Sequence, residues 1–413
     1  MEEAHENGSK VPLYMELAHL KHALRLPEYR NNVEMKNKLL QGIVENDMAP
    51  YYKNVCEELE WMPDNSLLNK MIANNKEKLE EYKVDVCEET TPDDDDEPKV
   101  WQKQLEYLSK IGDVEGTQDL AQNILENKTL PTYCRLDVIF TLFRMAYLNG
   151  CDLTAMRSAI EKAIELLDDK NCGAGGDWSA RNKLKVYEAI WYLAVREYPR
   201  AANLLVDVVP TFESYELVSF DTMIKYTVLA CMIALPRCDI KQKFSHGEMA
   251  QALSQHPDLR EYYNSLYEGR YADFFICLAN VERDMKLDPL LHRHYRNYVR
   301  EMKLKAYAQL LQAYRSVSLQ HMARAFGVTP DYIEKEVAHF AAAGRLQCKI
   351  DRVAGAVVSS SYINNERKKG LKQVMYASAS DVSCDRDFLY QNTIKSGDSL
   401  LNRLKKLTRI MDF

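Results

Sequence analysis

The stretch Tyr314 to Val358, YRSVSLQHMARAFGVTPDYIEKEVAHFAAAGRLQCKIDRVAGAVV, switches between strand and helix periodicity within one short span, and few folds accommodate that order. Ser316 to Leu319 is a short β-prone run, and Gln320 to Phe326 reads as a helix that Gly327 stops. Thr329 can cap a second helix, and Pro330 suits its first turn. Ile333, Val337 and Phe340 form one apolar face before Gly344 ends it. From Arg345 to Asp351 polar and apolar residues alternate, so Leu346, Cys348 and Ile350 face inward. Gly355 falls in the turn before Ala356, Val357 and Val358. The expected unit is two helices followed by a two-stranded wing, a winged helix. Its second helix opens Pro330, Asp331, Tyr332 and carries Glu334 and Glu336 against Lys335. A major-groove reader presents Arg, Lys, Asn or Gln there, and phosphate affinity needs several cations. Protein contact, not nucleic acid, is the expected use.

The rest of the chain is read as helical. From Val11 to Tyr82, Leu13, Leu17, Leu20 and Leu24 make one stripe and Leu39, Leu40, Ile43 and Val44 another, with Pro27 and Pro50 between helices. From Trp101 to Phe212 helix pairs recur around Gly112-Asp113, around Gly150-Cys151-Asp152 and near Glu197. The two glycine turns are 38 residues apart, close to the ~34 of a tetratricopeptide repeat. Such pairs bury a seam between neighbours and leave an extended face for other proteins. Further helices follow from Ser214 to Tyr314, including Tyr262 to Met285 and an aromatic-rich one in which tyrosines 295, 298, 307 and 314 read as core or groove residues.

Of the 413 residues, 46% are apolar and 28% charged, as in ordinary globular proteins. The net charge of −7 matches the seven acids of 88–98, a run without Lys or Arg bracketed by Pro92 and Pro98 and read as a solvated linker. Ten cysteines without a CxxC, and the acidic start MEEAHENGSK, indicate a reducing compartment. The longest apolar run, Val228 to Leu235, is far short of the roughly 20 residues that cross a bilayer. Ser359 to Arg386 reads as a tether. Beyond it Ile394, Leu400, Leu401, Leu404, Leu407 and Met411 line an amphipathic helix whose other face carries Arg403, Lys405, Lys406 and Arg409. That helix either folds back on its own domain or joins helices of other chains.

Helical repeats, a helical segment, a winged helix and a C-terminal helix form the layout of the PCI family, named from the proteasome lid, the COP9 signalosome and translation initiation factor three. Several blocks resemble its proteasome-lid branch: NDMAPYYKNVCEELEW (Asn46 to Trp61), LLNKM (Leu67 to Met71), GGDWSARNKLKVYEA (Gly175 to Ala189), SYELVSFDT (Ser214 to Thr222), HYRNYVREMKLKAYAQLLQAYRSVSL (His294 to Leu319), AAGRLQCKID (Ala342 to Asp351) and SGDSLLNRLKKLTRIM (Ser396 to Met411). The resemblance implies a mainly α chain. It would comprise an N-terminal helical segment (1–87), an acidic linker (88–98) and a TPR-like right-handed helical-repeat solenoid (99–213). A PCI domain (214–358, winged helix 314–358), a tether (359–387) and a bundle helix (388–413) would follow.

The same resemblance implies a non-catalytic scaffold without cofactor, found in cytoplasm and nucleus. Its partners would be other PCI subunits along the wing edge, Ala342 to Val358, and the lid metalloprotease pair through a helical bundle formed by Thr393 to Ile410. The proteasomal ATPases and core particle would be met indirectly. Candidate interface residues are Leu346, Cys348, Ile350 and Val357 on the wing, with Ile394, Leu400, Leu401, Leu404, Leu407 and Met411 on the terminal helix. A scaffold like COP9 signalosome subunit one is the alternative. His292 and His294 form an HxH pair, but where metalloproteases of that type place Pro, Ser and Asp this chain has Tyr295, Met302 and Lys305, and Lys cannot ligate zinc as a cation. Cys231 and Cys238 are expected in different faces or elements, as buried thiols. CGAGGDW lacks the Lys and hydroxyl of a phosphate loop and reads as a helix connection.

Overall fold

A helix begins at Leu13 because Pro12 supplies an extended residue before it, and the computed structural model carries that helix, α1, from Leu13 to Arg25. The structure describes residues 12–88, 97–126, 130–168, 177–245, 247–314, 316–359, 393–394 and 396–405. These fall into two units, one within 1–235, 241–265 and 273–302, the other within 236–240, 266–272 and 303–413.

In the first unit α1 packs on α2, Val33–Glu45. The Asn32 side chain caps α2 by accepting from the Glu34 and Met35 amides at 3.1 and 3.4 Å. Gly42 sits under Leu17, where a Cβ would come within 2.8 Å of a Leu17 methyl, so a larger residue there would require the Leu17 side chain to shift. Leu17, Leu24, Leu39 and Ile43 are buried as the periodicity implies, whereas Leu13 and Val44 are exposed at the margins of their stripes. Next come α3, Ala49–Leu59, with Pro50 in its first turn, and α4, Asn65–Glu88.

The helix pairs follow as α5 (Glu97–Ile111) with α6 (Val114–Glu126), α7 (Thr132–Leu148) with α8 (Leu153–Asp168), and α9 (Asp177–Val195) with α10 (Tyr198–Val208). Each hairpin turns on a left-handed residue: Gly112, Gly150 with Cys151, and Arg196. Partners pack on each other, and α7 and α8 both pack on α9, so the seam passes from pair to pair. The backbone of Glu88 and of Glu97 is helical, which narrows the expected acidic linker from both ends; its centre, 89–96, lies outside the described residues. The Gly-rich connection at 169–176 does too.

Helix α11, Phe220–Ala234, is capped by the Ser219 hydroxyl accepting from the Thr222 amide and packs on α10. It is followed by α12 (Arg237–Ser245), α13 (Gly247–Gln255), α14 (Pro257–Glu268), α15 (Tyr271–Leu287) and α16 (Tyr295–Ala313). The expected Tyr262 to Met285 helix is two helices, because Gly269 at φ +84° turns the chain between α14 and α15. Tyr262 and Tyr298 share a buried hydrogen bond of 3.0 Å between their hydroxyls, and Tyr307 is also fully buried, so these aromatics are core. Tyr314 is exposed.

The second unit contains β1 (Ser316–Ser318), α17 (Leu319–Phe326), α18 (Pro330–Ala342), β2 (Cys348–Asp351) and β3 (Ala356–Ser359). The sheet has three strands in the order β1-β3-β2, all antiparallel neighbours, in place of a two-stranded wing. Ser318 caps α17, and Gly327 closes it in the left-handed region. Thr329 occupies the N-cap position of α18, but its side chain makes no capping bond. The core is Tyr307, Met322, Phe326, Ile333, Val337, Phe340 and Val357, with the Tyr271 ring stacked on Phe326 at 4.8 Å.

Candidate interaction surfaces

The face of α18 that would meet a nucleic-acid groove is acidic, and its neighbouring cations are engaged. Lys303 donates to the Tyr332 hydroxyl at 2.7 Å and lies 3.8 Å from Glu336, and Arg352 donates to Glu334 at 2.7 Å. Asp331 sits in the first turn, where a carboxylate complements the helix dipole. The Arg352 pair also ties the wing to α18.

The wing is held by its own backbone chemistry. The Asp351 carboxylate accepts from the Val353 and Ala354 amides at 2.9 and 3.1 Å, and Gly355 at φ +61° completes the reversal. The Leu319 amide donates to the Gly355 carbonyl at 2.8 Å, anchoring the turn to the start of α17. Register puts Ile350 and Val317 opposite Val357, on the face toward the helices. Ser316, Lys349 and Val358 share the opposite face.

This register places the candidate wing residues. Leu346 is 6% exposed and Val357 fully buried, so both serve the module's own core. Cys348 and Ile350 are half-buried on the same side, and burial raises the Cys348 thiol to about 11. Among the described residues, what remains outward is the outer side of β2, the Lys349 and Val358 side chains, and a tip where Val353 is 100% exposed. An outer strand edge of this kind accepts a further strand.

At the other end, residues 393–394 and 396–405 are helical. Ile394, Leu400, Leu401 and Leu404 are 63, 60, 55 and 58% exposed, an apolar row beside exposed Arg403 and Lys405. Leu407 and Met411 lie outside the described residues.

The HxH pair is structural. The His294 Nδ1 accepts from Arg196 at 2.7 Å and its Nε2 donates to the Ala194 carbonyl at 2.7 Å, so both ring nitrogens are in use. The His292 Nδ1 lies 3.0 Å from the Lys286 carbonyl. Cys231 is buried in α11 and Cys238 exposed in α12, so only the first is the buried thiol expected of both. Among the described residues no three His, Cys, Asp or Glu side chains are grouped to hold a metal.

Sequence reasoning missed a polar network in the first unit. Arg144 of α7 donates to Glu216 at 2.7 Å and to the Thr141 hydroxyl at 2.7 Å, while Tyr187 of α9 donates to the other Glu216 oxygen at 3.1 Å. Burial raises the Tyr187 hydroxyl well above its ordinary range and raises the Asp137 carboxyl nearby. The network lines a cavity of about 590 Å³, in which Lys110, Arg144 and Lys183 balance Glu106, Asp137 and Glu216. Its only trace in the sequence is that Glu216 falls inside the SYELVSFDT block.

Family models match three parts of the chain: 26S proteasome subunit RPN7 over residues 64–243, PCI domain over 272–361, and the 26S proteasome regulatory subunit RPN7/PSMD6 C-terminal helix over 390–411. The chain is 36% identical to a 26S proteasome non-ATPase regulatory subunit 6 homolog of Arabidopsis thaliana, over 92% of each chain. It is 35% identical to the 26S proteasome regulatory subunit rpn7 of Schizosaccharomyces pombe, over 89% of this chain and 88% of that one. COP9 signalosome complex subunit 1 of Arabidopsis thaliana is 30% identical, over only 41% of this chain and 39% of its own.

Proposed function

This chain belongs to the RPN7/PSMD6 family of 26S proteasome regulatory subunits, and from that membership we propose that it is a non-catalytic structural subunit of the regulatory-particle lid, supporting lid assembly and ubiquitin-dependent degradation. The observation that carries this reading is similarity along nearly the whole length, 36% identity over 92% of both chains. The outer β2 edge with the exposed Val353 tip supports contact with the winged helices of other PCI subunits. The exposed row Ile394, Leu400, Leu401 and Leu404, continued in sequence by Leu407 and Met411, supports entry into a helical bundle that includes the lid metalloprotease pair. Contacts with the ATPases and core particle are then indirect, the compartment is cytoplasm and nucleus, and neither nucleic acid nor membrane is a partner. Among the described residues no helix is long and apolar enough to cross a membrane.

The test is affinity purification of the full chain from native cells, followed by crosslinking mass spectrometry. Recovery of proteasomal ATPases and lid subunits, with crosslinks from Lys349 to another PCI subunit, is the expected result. The partial likeness to COP9 signalosome complex subunit 1 makes a scaffold of that kind the second reading. Recovery of cullins without proteasomal ATPases would overturn the first in its favour.

A further inference from the structure

A second cavity of the first unit, of about 410 Å³, lies among the last turn of α1, the Gly150-Cys151 turn and the segment after α15. Its charge is unbalanced. Lys21, Arg25 and Arg293 line it against one carboxylate, Glu58, which Lys21 already pairs at 2.8 Å. Two imidazoles complete it: the His22 and His292 rings meet edge to face with centroids 4.8 Å apart. The Nε2 of His22 is enclosed by protein atoms, and the Lys286 carbonyl lies beside the ring. His292 is oriented by its Nδ1 on the Lys286 carbonyl, and Arg293 by its Nη2 on the Gly150 carbonyl at 3.3 Å.

The end of a helix attracts cations through its dipole, which accounts for Lys21, His22 and Arg25 on α1. It does not account for His292 and Arg293, which converge on the same space from another part of the chain. Two larger cavities among the described residues differ. One has as many acids as bases, and the other is mainly apolar, with Glu16, Asp284 and Asp288 against Lys225 and His19. Burial and, after it, the neighbouring His292 lower the His22 pKa.

We propose that this cavity is a binding site for a small phosphate-bearing anion, held by the guanidinium groups of Arg25 and Arg293 beside the His22 and His292 rings. Planar guanidinium forks match phosphate oxygens in pairs. The volume lies in the range of small-molecule sites, which begins at about 300 Å³. The site uses no residue of the wing or of the described terminal helix, so it goes beyond the assembly role proposed above.

The probe is sodium pyrophosphate, titrated calorimetrically into the full-length chain at physiological ionic strength, with inorganic phosphate as a second arm. The expected result is saturable uptake of one pyrophosphate per chain and a rise in melting temperature. Replacing both Arg25 and Arg293 by Ala should weaken binding by about tenfold or more, as loss of charge-assisted pairs implies. Arg25 and Arg293 are exposed, so that variant should keep the wild-type circular dichroism. The ring resonances of His22 supply an independent readout, since bound pyrophosphate should raise its pKa. Absence of saturable uptake at millimolar pyrophosphate, equal binding by the double variant, or binding that leaves the His22 titration unmoved would each overturn the assignment.

Discussion

His294 is one of the few buried histidines whose protonation state can be read from its neighbours. Accepting from Arg196 and donating to a carbonyl require the neutral ring, and burial first, with the Arg196 charge opposing protonation as well, lowers its pKa below the ordinary 6.5. A histidine depressed in the folded state contributes fully above its unfolded value and loses that contribution as pH falls through the folded one, because the unfolded chain then binds the extra proton. The melting temperature of the wild type should therefore exceed that of His294→Gln most at neutral pH, and the gap should narrow as the solution is taken below 6.5. A gap that widens on acidification would contradict the neutral assignment. Glu216 offers a second test. Glu216→Ala removes the partner of Arg144 and Tyr187, and since Glu216 keeps 29% side-chain exposure the cost should be that of lost charge-assisted hydrogen bonds, about 2–3 kcal/mol by urea unfolding. Glu216→Gln keeps a single acceptor oxygen and so can retain only one of the two bonds, and it should cost less than Glu216→Ala. Neither network was visible in the sequence, because Arg144 and Glu216 are far apart along the chain and nothing local marks them as partners.

At the scale of elements, local signals were legible where a single residue dictates the backbone. Gly327, Gly344 and Gly355 all adopt the left-handed conformation at the ends and turns expected of them, and Pro330 starts α18 as its fixed φ requires. The third strand was not legible as a strand of the wing's sheet, since Ser316 pairs with Val358 across two intervening helices and a run that short has no pairing signal of its own. The same non-local pairing decides which wing residues are buried, which is why Leu346 and Val357 lie in the core. The glycines separate two costs. Gly355→Ala meets open space and should lose only the left-handed penalty, about 1–2 kcal/mol. Gly327→Ala carries that penalty and a 3.3 Å contact with the Ala272 methyl, so it should be the more destabilising of the two in denaturant unfolding. Equal losses would show that the Ala272 neighbour yields freely. For the proposed wing interface, Val353→Asp changes a fully exposed tip and should leave unfolding of the isolated chain unchanged while reducing its recovery with other PCI subunits. Undiminished recovery would remove the tip from the interface.

For the whole molecule, the decisive comparison is between what the chain needs to fold and what it needs to assemble. Among the described residues, the buried apolar side chains all precede Ser359 and none belongs to the terminal helix. Removing Asn392 to Phe413 should thus leave the melting temperature and helical circular dichroism of the remainder essentially as they were. In the proposed lid, however, the exposed row of Ile394, Leu400, Leu401 and Leu404 would lie in a seam between helices of several subunits, and the truncated chain should fail to enter that complex. Leu404→Asp is the finer version of the same test, because a charge brought unpaired into a helix seam costs several kcal/mol while the same charge on a solvated helix costs little. Co-expression with the other lid subunits, read by native mass spectrometry, separates the possibilities. Assembly lost in both variants with folding retained supports the bundle role. Normal incorporation of the truncated chain rejects it, and a truncated chain that melts early shows that the helix serves its own subunit.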